Sequence, residues 1–242
     1  TLVHDDIMDG DLIRHGQKTV HDKWDEGVAI LTGDAMLSLA LKLILKSNNY
    51  KEKQITLFIE GLLAVCEGQA LDKEFESQPC VSLDDYLEMI DLKTGYMVGL
   101  SAHMGATSTN ADSEICIKLR NYGCLIGRAF QIQDDYLEIF SNHQDMGKSL
   151  ESDIILGKKT FLMILALEKN GSVINNALKT AETNFEEGIR QIRDYMAKAG
   201  IKKAVREEID IILKLANEKL SGLPIDKDKL LYFSDLIKKR GY

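Results

Sequence analysis

Apolar residues recur at three- and four-residue spacing through long stretches of the chain, which lays one apolar stripe along an α-helix. On this pattern a helix begins after Gly33, with Asp34 near its start, and runs through Met36 and Leu39 to Leu45, where Ser47-Asn48-Asn49 breaks it. Nearly every face of that segment is apolar, so it is expected to be a central helix. Further helices are expected from about Lys53 to Phe75, from Ser82 towards His103, from Glu114 to Ile139, and from near Lys158 past Leu167. A charged tail, helical over about 182–220 and 227–239, is expected to form surface rather than site. No alternating strand pattern and no short fixed repeat interrupts this, so the fold class predicted is all-α, a bundle and not a solenoid.

Composition narrows the picture. The chain has 242 residues, 45% of them hydrophobic, and only two prolines, with no Pro/Gly/Ser-rich linker, so one domain spanning residues 1–242 is expected. Thr1-Leu2-Val3-His4 reads as the interior of a helix, and residues upstream of Thr1 are expected. The net charge of −8 argues against a nucleic-acid surface. Cys66, Cys80, Cys116 and Cys124 lack Cys-x-x-Cys spacing, and neither a signal peptide nor a twenty-residue apolar run stands out. A soluble, reducing, cytoplasmic setting without a membrane span is the expectation.

Two acidic clusters carry the chemistry, Asp5-Asp6-Ile7-Met8-Asp9 and Asp134-Asp135-Tyr136-Leu137-Glu138. On a helix, positions i and i+4 share a face, so each cluster aims two or three carboxylates at one volume. Such a concentration of like charge calls for cations, and hard oxygen donors suit Mg²⁺ held jointly with substrate phosphates. Asp84-Asp85-Tyr86-Leu87-Glu88 repeats the second pentapeptide letter for letter and serves as a control. It follows Ser82, so capping and the helix dipole explain it without a metal. Asp134 instead lies late in an apolar helix, where capping cannot account for it. Basic residues follow both remaining clusters: Arg14, His15 and Lys18 after the first, Lys148 and Lys158-Lys159 after the second.

These segments resemble a known family. Leu2-Val3-His4-Asp5-Asp6-Ile7-Met8-Asp9 with Arg14-His15-Gly16 is similar to the first aspartate-rich motif of the trans-isoprenyl diphosphate synthases, the polyprenyl synthetase family. Phe130-Gln131-Ile132-Gln133-Asp134-Asp135-Tyr136-Leu137-Glu138 resembles the second, in the farnesyl and geranylgeranyl diphosphate synthase style. Lys93-Thr94-Gly95, Gly68-Gln69-Ala70-Leu71-Asp72, and Gly147-Lys148 with Asp153 and Lys158-Lys159-Thr160 resemble its intervening segments, so the likeness covers about residues 1 to 162.

The resemblance implies an isoprenoid synthase bundle, usually a homodimer, with a central cavity between two Asp-rich helices. It implies head-to-tail condensation of an allylic diphosphate with isopentenyl diphosphate to a short-chain (C15–C20) trans-polyprenyl diphosphate. Up to three Mg²⁺ would be held by Asp5, Asp6 and Asp9 on one wall and by Asp134, Asp135 and Glu138 on the other. Arg14, His15, Lys93, Thr94, Gln131, Lys148 and Lys158 would bind substrate, with catalysis resting on Asp5, Asp9, Asp134 and Lys93. Leu31, Met36, Met97 and Phe130 line the cavity or pack the core on this reading. The chain departs from the family pattern at His15, where a second arginine is usual, at Glu138 for a third aspartate, and at Ser141-Asn142 and Glu151. Two alternatives stay open: a class I terpene cyclase, and a catalytically weakened subunit that pairs with an active synthase.

Overall fold

The computed structural model describes residues 1–46, 50–140 and 158–240. Its elements in order are α1 (Leu2–Asp9), a two-stranded antiparallel hairpin β1 (Ile13–Arg14) and β2 (Gln17–Lys18), α2 (Val20–Lys23), α3 (Glu26–Leu45), α4 (Lys51–Ser77) and α5 (Leu83–Ile90). A π-helical turn over Asp91–Gly95 leads into α6 (Tyr96–Ser108), followed by α7 (Ser113–Phe140), α8 (Phe161–Thr183), α9 (Phe185–Lys198), α10 (Ile201–Lys219) and α11 (Asp228–Lys239).

The core is built around α7, whose Ile126, Ala129, Ile132, Tyr136 and Ile139 are buried. Against it pack Tyr86 and Ile90 of α5, Leu162 and Ile164 of α8, Ile192 and Met196 of α9, and Val205 and Leu213 of α10. Removing this much apolar surface from water is the main favourable term in folding.

Several expectations are corrected. The charged tail contributes more than a third of the buried core rather than forming a surface appendage. Its amphipathic helices are separated by Asn184, which caps α9 through Glu187 N–H at 3.2 Å, and by Gly200 at φ 75°. The first long apolar helix starts earlier than Gly33, at Glu26, because the Asp25 carboxylate accepts the Val28 N–H at 2.8 Å and caps it there. Nor is α3 central. Only Ala29 and Gly33 are buried along it, while Val28, Ile30, Leu31, Met36, Leu39 and Leu43 are exposed. The segment from Ser82 to His103 is broken by the π-turn into two helices. A short hairpin, unforeseen because each strand has two residues, folds back after α1. By length and composition alone, α3 and α4 are long and apolar enough to cross a membrane, contrary to the expectation that no such run stands out. The expected break at Ser47-Asn48-Asn49 lies outside the described residues.

Candidate active site

The first wall is assembled by α1 and the hairpin. After α1 the chain turns at Gly10 (φ 68°), and β1 brings Arg14 back over the helix end. The Arg14 guanidinium donates through Nε to Asp6, while Nη2 lies 3.5 Å from Asp11 Oδ2 and 3.8 Å from Asp5 Oδ2. Asp6 is buried and ion-paired with this arginine. Asp9 is also buried, but differently. Its Oδ2 accepts from Lys158 Nζ at 3.0 Å, and its Oδ1 has no hydrogen-bond partner among the described residues. A buried carboxylate oxygen left without a donor costs free energy unless a ligand meets it.

Lys93 completes this wall. Its ammonium lies 2.7 Å from Asp72 Oδ2 and 3.5 Å from Asp5 Oδ1. Burial alone would lower its pKa, but Asp72 and Asp5 outweigh that and raise it, so the group is a fixed positive charge. Two close approaches hold it there. A Cβ on Gly68 of α4 would stand 2.4 Å from the Lys93 backbone nitrogen, and one on Gly127 of α7 would stand 2.7 Å from Gly95 Cα. The π-turn is thus pressed between α4 and α7, and the Arg128 guanidinium clamps its first residue, Asp91, through both carboxylate oxygens. π-turns recur at functional sites because they rotate the following side chains off the ordinary helical track.

The second wall lies on α7. Asp134 is part-exposed and accepts from Arg240 Nη1 at 2.6 Å. Glu138 is part-buried one turn on. Asp135, beside Asp134, is buried and held by three donors of the protein. Its Oδ2 accepts from the Tyr86 hydroxyl at 2.5 Å and from Phe161 N–H at 3.1 Å, and its Oδ1 from Gln131 Nε2 at 3.2 Å. Burial raises its pKa to about 7, against the pull of those three hydrogen bonds. The Thr94 hydroxyl donates to Gln131 Oε1 at 3.1 Å, so two expected substrate contacts form one chain with Asp135. The stretch 158–161 joins the walls, Lys158 reaching Asp9 on one and Phe161 N–H reaching Asp135 on the other.

The remaining expectations divide. His15 is exposed at the hairpin tip with φ 50°, beyond the carboxylate cluster that Arg14 enters. Lys148, Glu151, Ser141-Asn142, Gly147 and Asp153 lie outside the described residues. Leu31, Met36 and Phe130 are exposed rather than core. The control pentapeptide behaves as a cap: Ser82 Oγ accepts from Asp85 N–H at 3.1 Å, and the Asp85 carboxylate returns to Ser82. The basic run Lys238-Lys239-Arg240 reads in the sequence as a solvated helix end more readily than as a substrate contact, yet Arg240 stacks on the Phe130 ring at 4.7 Å as it reaches Asp134. Gln69 is legible only as part of a motif, and neither end of its buried amide has a hydrogen-bond partner among the described residues.

Among the described residues no three carboxylate, imidazole or thiol groups converge as a ready-made metal site. The donors nevertheless fit magnesium, since Asp5, Asp9, Asp134 and Glu138 offer oxygen alone and Asp9 Oδ1 is a buried one unpaired among the described residues.

An all-helical bundle with two acidic helices joined by cations belongs to the isoprenyl synthase class of folds, and comparison with known proteins bears on this directly. The polyprenyl synthetase family pattern matches residues 1–196. The short chain isoprenyl diphosphate synthase of Methanothermobacter thermautotrophicus is 38% identical over 171 residues, 70% of this chain and 53% of that protein. The geranylgeranyl diphosphate synthase of Methanosarcina mazei is 34% identical over 247 residues, all of this chain and 75% of its own. The crystal structure of geranylgeranyl pyrophosphate synthetase from Pyrococcus horikoshii superposes with a TM-score of 0.89 at 33% identity, covering 99% of this chain and 75% of that one. The chain belongs to the polyprenyl synthetase family, a family of prenyltransferases.

Proposed function

We propose that the chain condenses an allylic diphosphate with isopentenyl diphosphate, head to tail, to give a short-chain trans-polyprenyl diphosphate of farnesyl to geranylgeranyl length. The observation that carries this is the convergence of Arg14 and Lys93 on Asp5 and of Lys158 on Asp9, with the 158–161 stretch tied to the second acidic helix. Fixed cations interleaved with carboxylates suit a diphosphate that arrives with divalent metal, and the relatives' names point to the same chemistry.

Asp5, Asp9, Asp134 and Glu138 are the residues that would hold magnesium, which when bound neutralises the diphosphate and favours its departure. Lys93, Arg14 and Lys158 would bind the non-bridging diphosphate oxygens and stabilise the charge that gathers on them as the allylic carbon–oxygen bond breaks. Thr94 and Gln131 would orient the same group. No side chain is required as a nucleophile, because the double bond of isopentenyl diphosphate attacks the allyl cation directly, and the tertiary cation so formed loses a proton to the released diphosphate to give the new double bond. Apolar walls would keep water from that cation.

A homodimer is part of the proposal, supported by the exposed apolar face of α3, since a soluble chain rarely leaves a patch of that size uncovered. Four unpaired cysteines accord with a reducing cytoplasmic setting. The reaction is tested by incubating the protein with radiolabelled isopentenyl diphosphate, allylic primers of graded length and Mg²⁺. Chain elongation that is lost with chelator is expected, and no elongated product with any primer would overturn the assignment.

A further inference from the structure

Tyr86 belongs to the pentapeptide that serves only as a cap, yet its hydroxyl crosses to the other copy and donates to Asp135 Oδ2 at 2.5 Å. That oxygen also accepts the Phe161 N–H at 3.1 Å, and the Tyr86 and Phe161 rings meet edge to face with centroids 5.9 Å apart. Phe161 opens α8, and Lys158, three positions earlier, reaches Asp9 at 3.0 Å. Through its other oxygen, Asp135 holds Gln131, which in turn holds Thr94. One buried phenol therefore stands at the root of three side chains expected to meet the diphosphate.

We infer that Tyr86 is a positioning residue, which fixes Asp135 and through it sets where Lys158, Gln131 and Thr94 engage the substrate. The physical case is one of constraint. Tyr86 is 2% exposed, and its ring cannot turn without leaving the core. Its hydroxyl is one of two donors that fix Asp135 Oδ2, and that oxygen anchors the first N–H of α8. Without the hydroxyl the carboxylate keeps one donor on each oxygen and is held less firmly, so the start of α8 is registered less tightly to α7. Only two residues lie between that start and Lys158, and catalytic contacts tolerate little displacement. The inference rests on the proposed diphosphate site.

Tyr86→Phe keeps the ring and removes the hydroxyl alone. Two measurements decide the matter. In amide hydrogen exchange, the Phe161 N–H of Tyr86→Phe should exchange about tenfold faster than in the parent, and unchanged protection would overturn the inference. In a double-mutant cycle, Tyr86→Phe should lower kcat/KM for the allylic diphosphate about tenfold in the parent and less than about twofold in a Lys158→Ala background. An equal loss in both backgrounds would mean general destabilisation and would also overturn it. Should Tyr86→Phe fail to fold, Asp135→Asn takes its place in the same cycle, since it keeps one acceptor oxygen for Phe161, and the same two outcomes decide. If the parent chain elongates nothing, the proposed reaction fails, and the exchange result still decides the positioning role.

Discussion

A carboxylate in this site is defined by what touches it rather than by its place in a motif. Asp5-Asp6 and Asp134-Asp135 are adjacent pairs on helices, so the second member of each points about 100° away from the first. Asp6 and Asp135 are turned into the protein, where an arginine and a phenol engage them. Sequence spacing located both clusters but could not separate the members, because the partners come from elements 8 and 49 residues away. Asp134→Ala should abolish turnover, whereas Asp84→Ala, exposed on a cap, should leave steady-state rates within about twofold; equal losses in a side-by-side assay would refute the distinction. Lys93→Ala should cost on the order of 10²-fold in kcat/KM, as expected for removal of one fixed donor from a charge-stabilising site, read by initial rates at saturating Mg²⁺. At a distance from the chemistry, His103 has its pKa lowered by burial first and then by Lys53 and Arg120. The folded chain therefore binds fewer protons at this position than the unfolded one. Stability from this group is present above the unfolded value of about 6.5 and is lost as the pH falls from there through the lower pKa of the folded state. Urea unfolding across pH 5 to 8 should show the decline, and His103→Gln should flatten it.

At the scale of elements, the π-turn over Asp91–Gly95 illustrates what the hydrophobic pattern can and cannot convey. The periodicity from Ser82 to His103 reads as one helix because a single π-turn adds one residue and barely disturbs the stripe. What forces the turn is tertiary: α4 and α7 approach so closely at Gly68 and Gly127 that the backbone of the turn occupies the place of a side chain. Gly68→Ala should therefore destabilise the protein by more than about 2 kcal/mol, since overpacking against backbone has little room to relax. Gly105, helical on α6 with nothing within 4 Å of a Cβ, is the control, and Gly105→Ala should stabilise by about 0.5–1 kcal/mol. Thermal unfolding of the two variants in parallel tests both signs. The tail shows the reverse failure. Its charge suggested surface, but a charged residue every third or fourth position describes only one side of an amphipathic helix, and the opposite sides of α9 and α10 carry Ile192, Met196, Val205 and Leu213 into the core.

For the molecule as a whole, fold class was legible because an all-α chain announces itself through a single period, while the arrangement of helices was not. The nearly uniform apolarity of α3 suggested a centre, and in the structure much of it faces outward. Both readings share one physical root: an apolar surface must be covered, by the chain's own core or by something else. On the proposal that a second copy covers it, Leu31→Lys with Leu43→Lys should convert a dimer to a monomer in light scattering coupled to size exclusion. An unchanged mass would place the interface elsewhere.

The ion pairs between walls have a consequence for how metal arrives. With Lys158 on Asp9, Lys93 and Arg14 on Asp5, and Arg240 on Asp134, the acidic clusters already possess resident counter-ions. On the proposed function, magnesium binding would be an exchange rather than an addition. The displaced ammonium and guanidinium groups would become available to the diphosphate as the metal took their place, so metal and substrate should bind with positive linkage and metal alone should bind weakly.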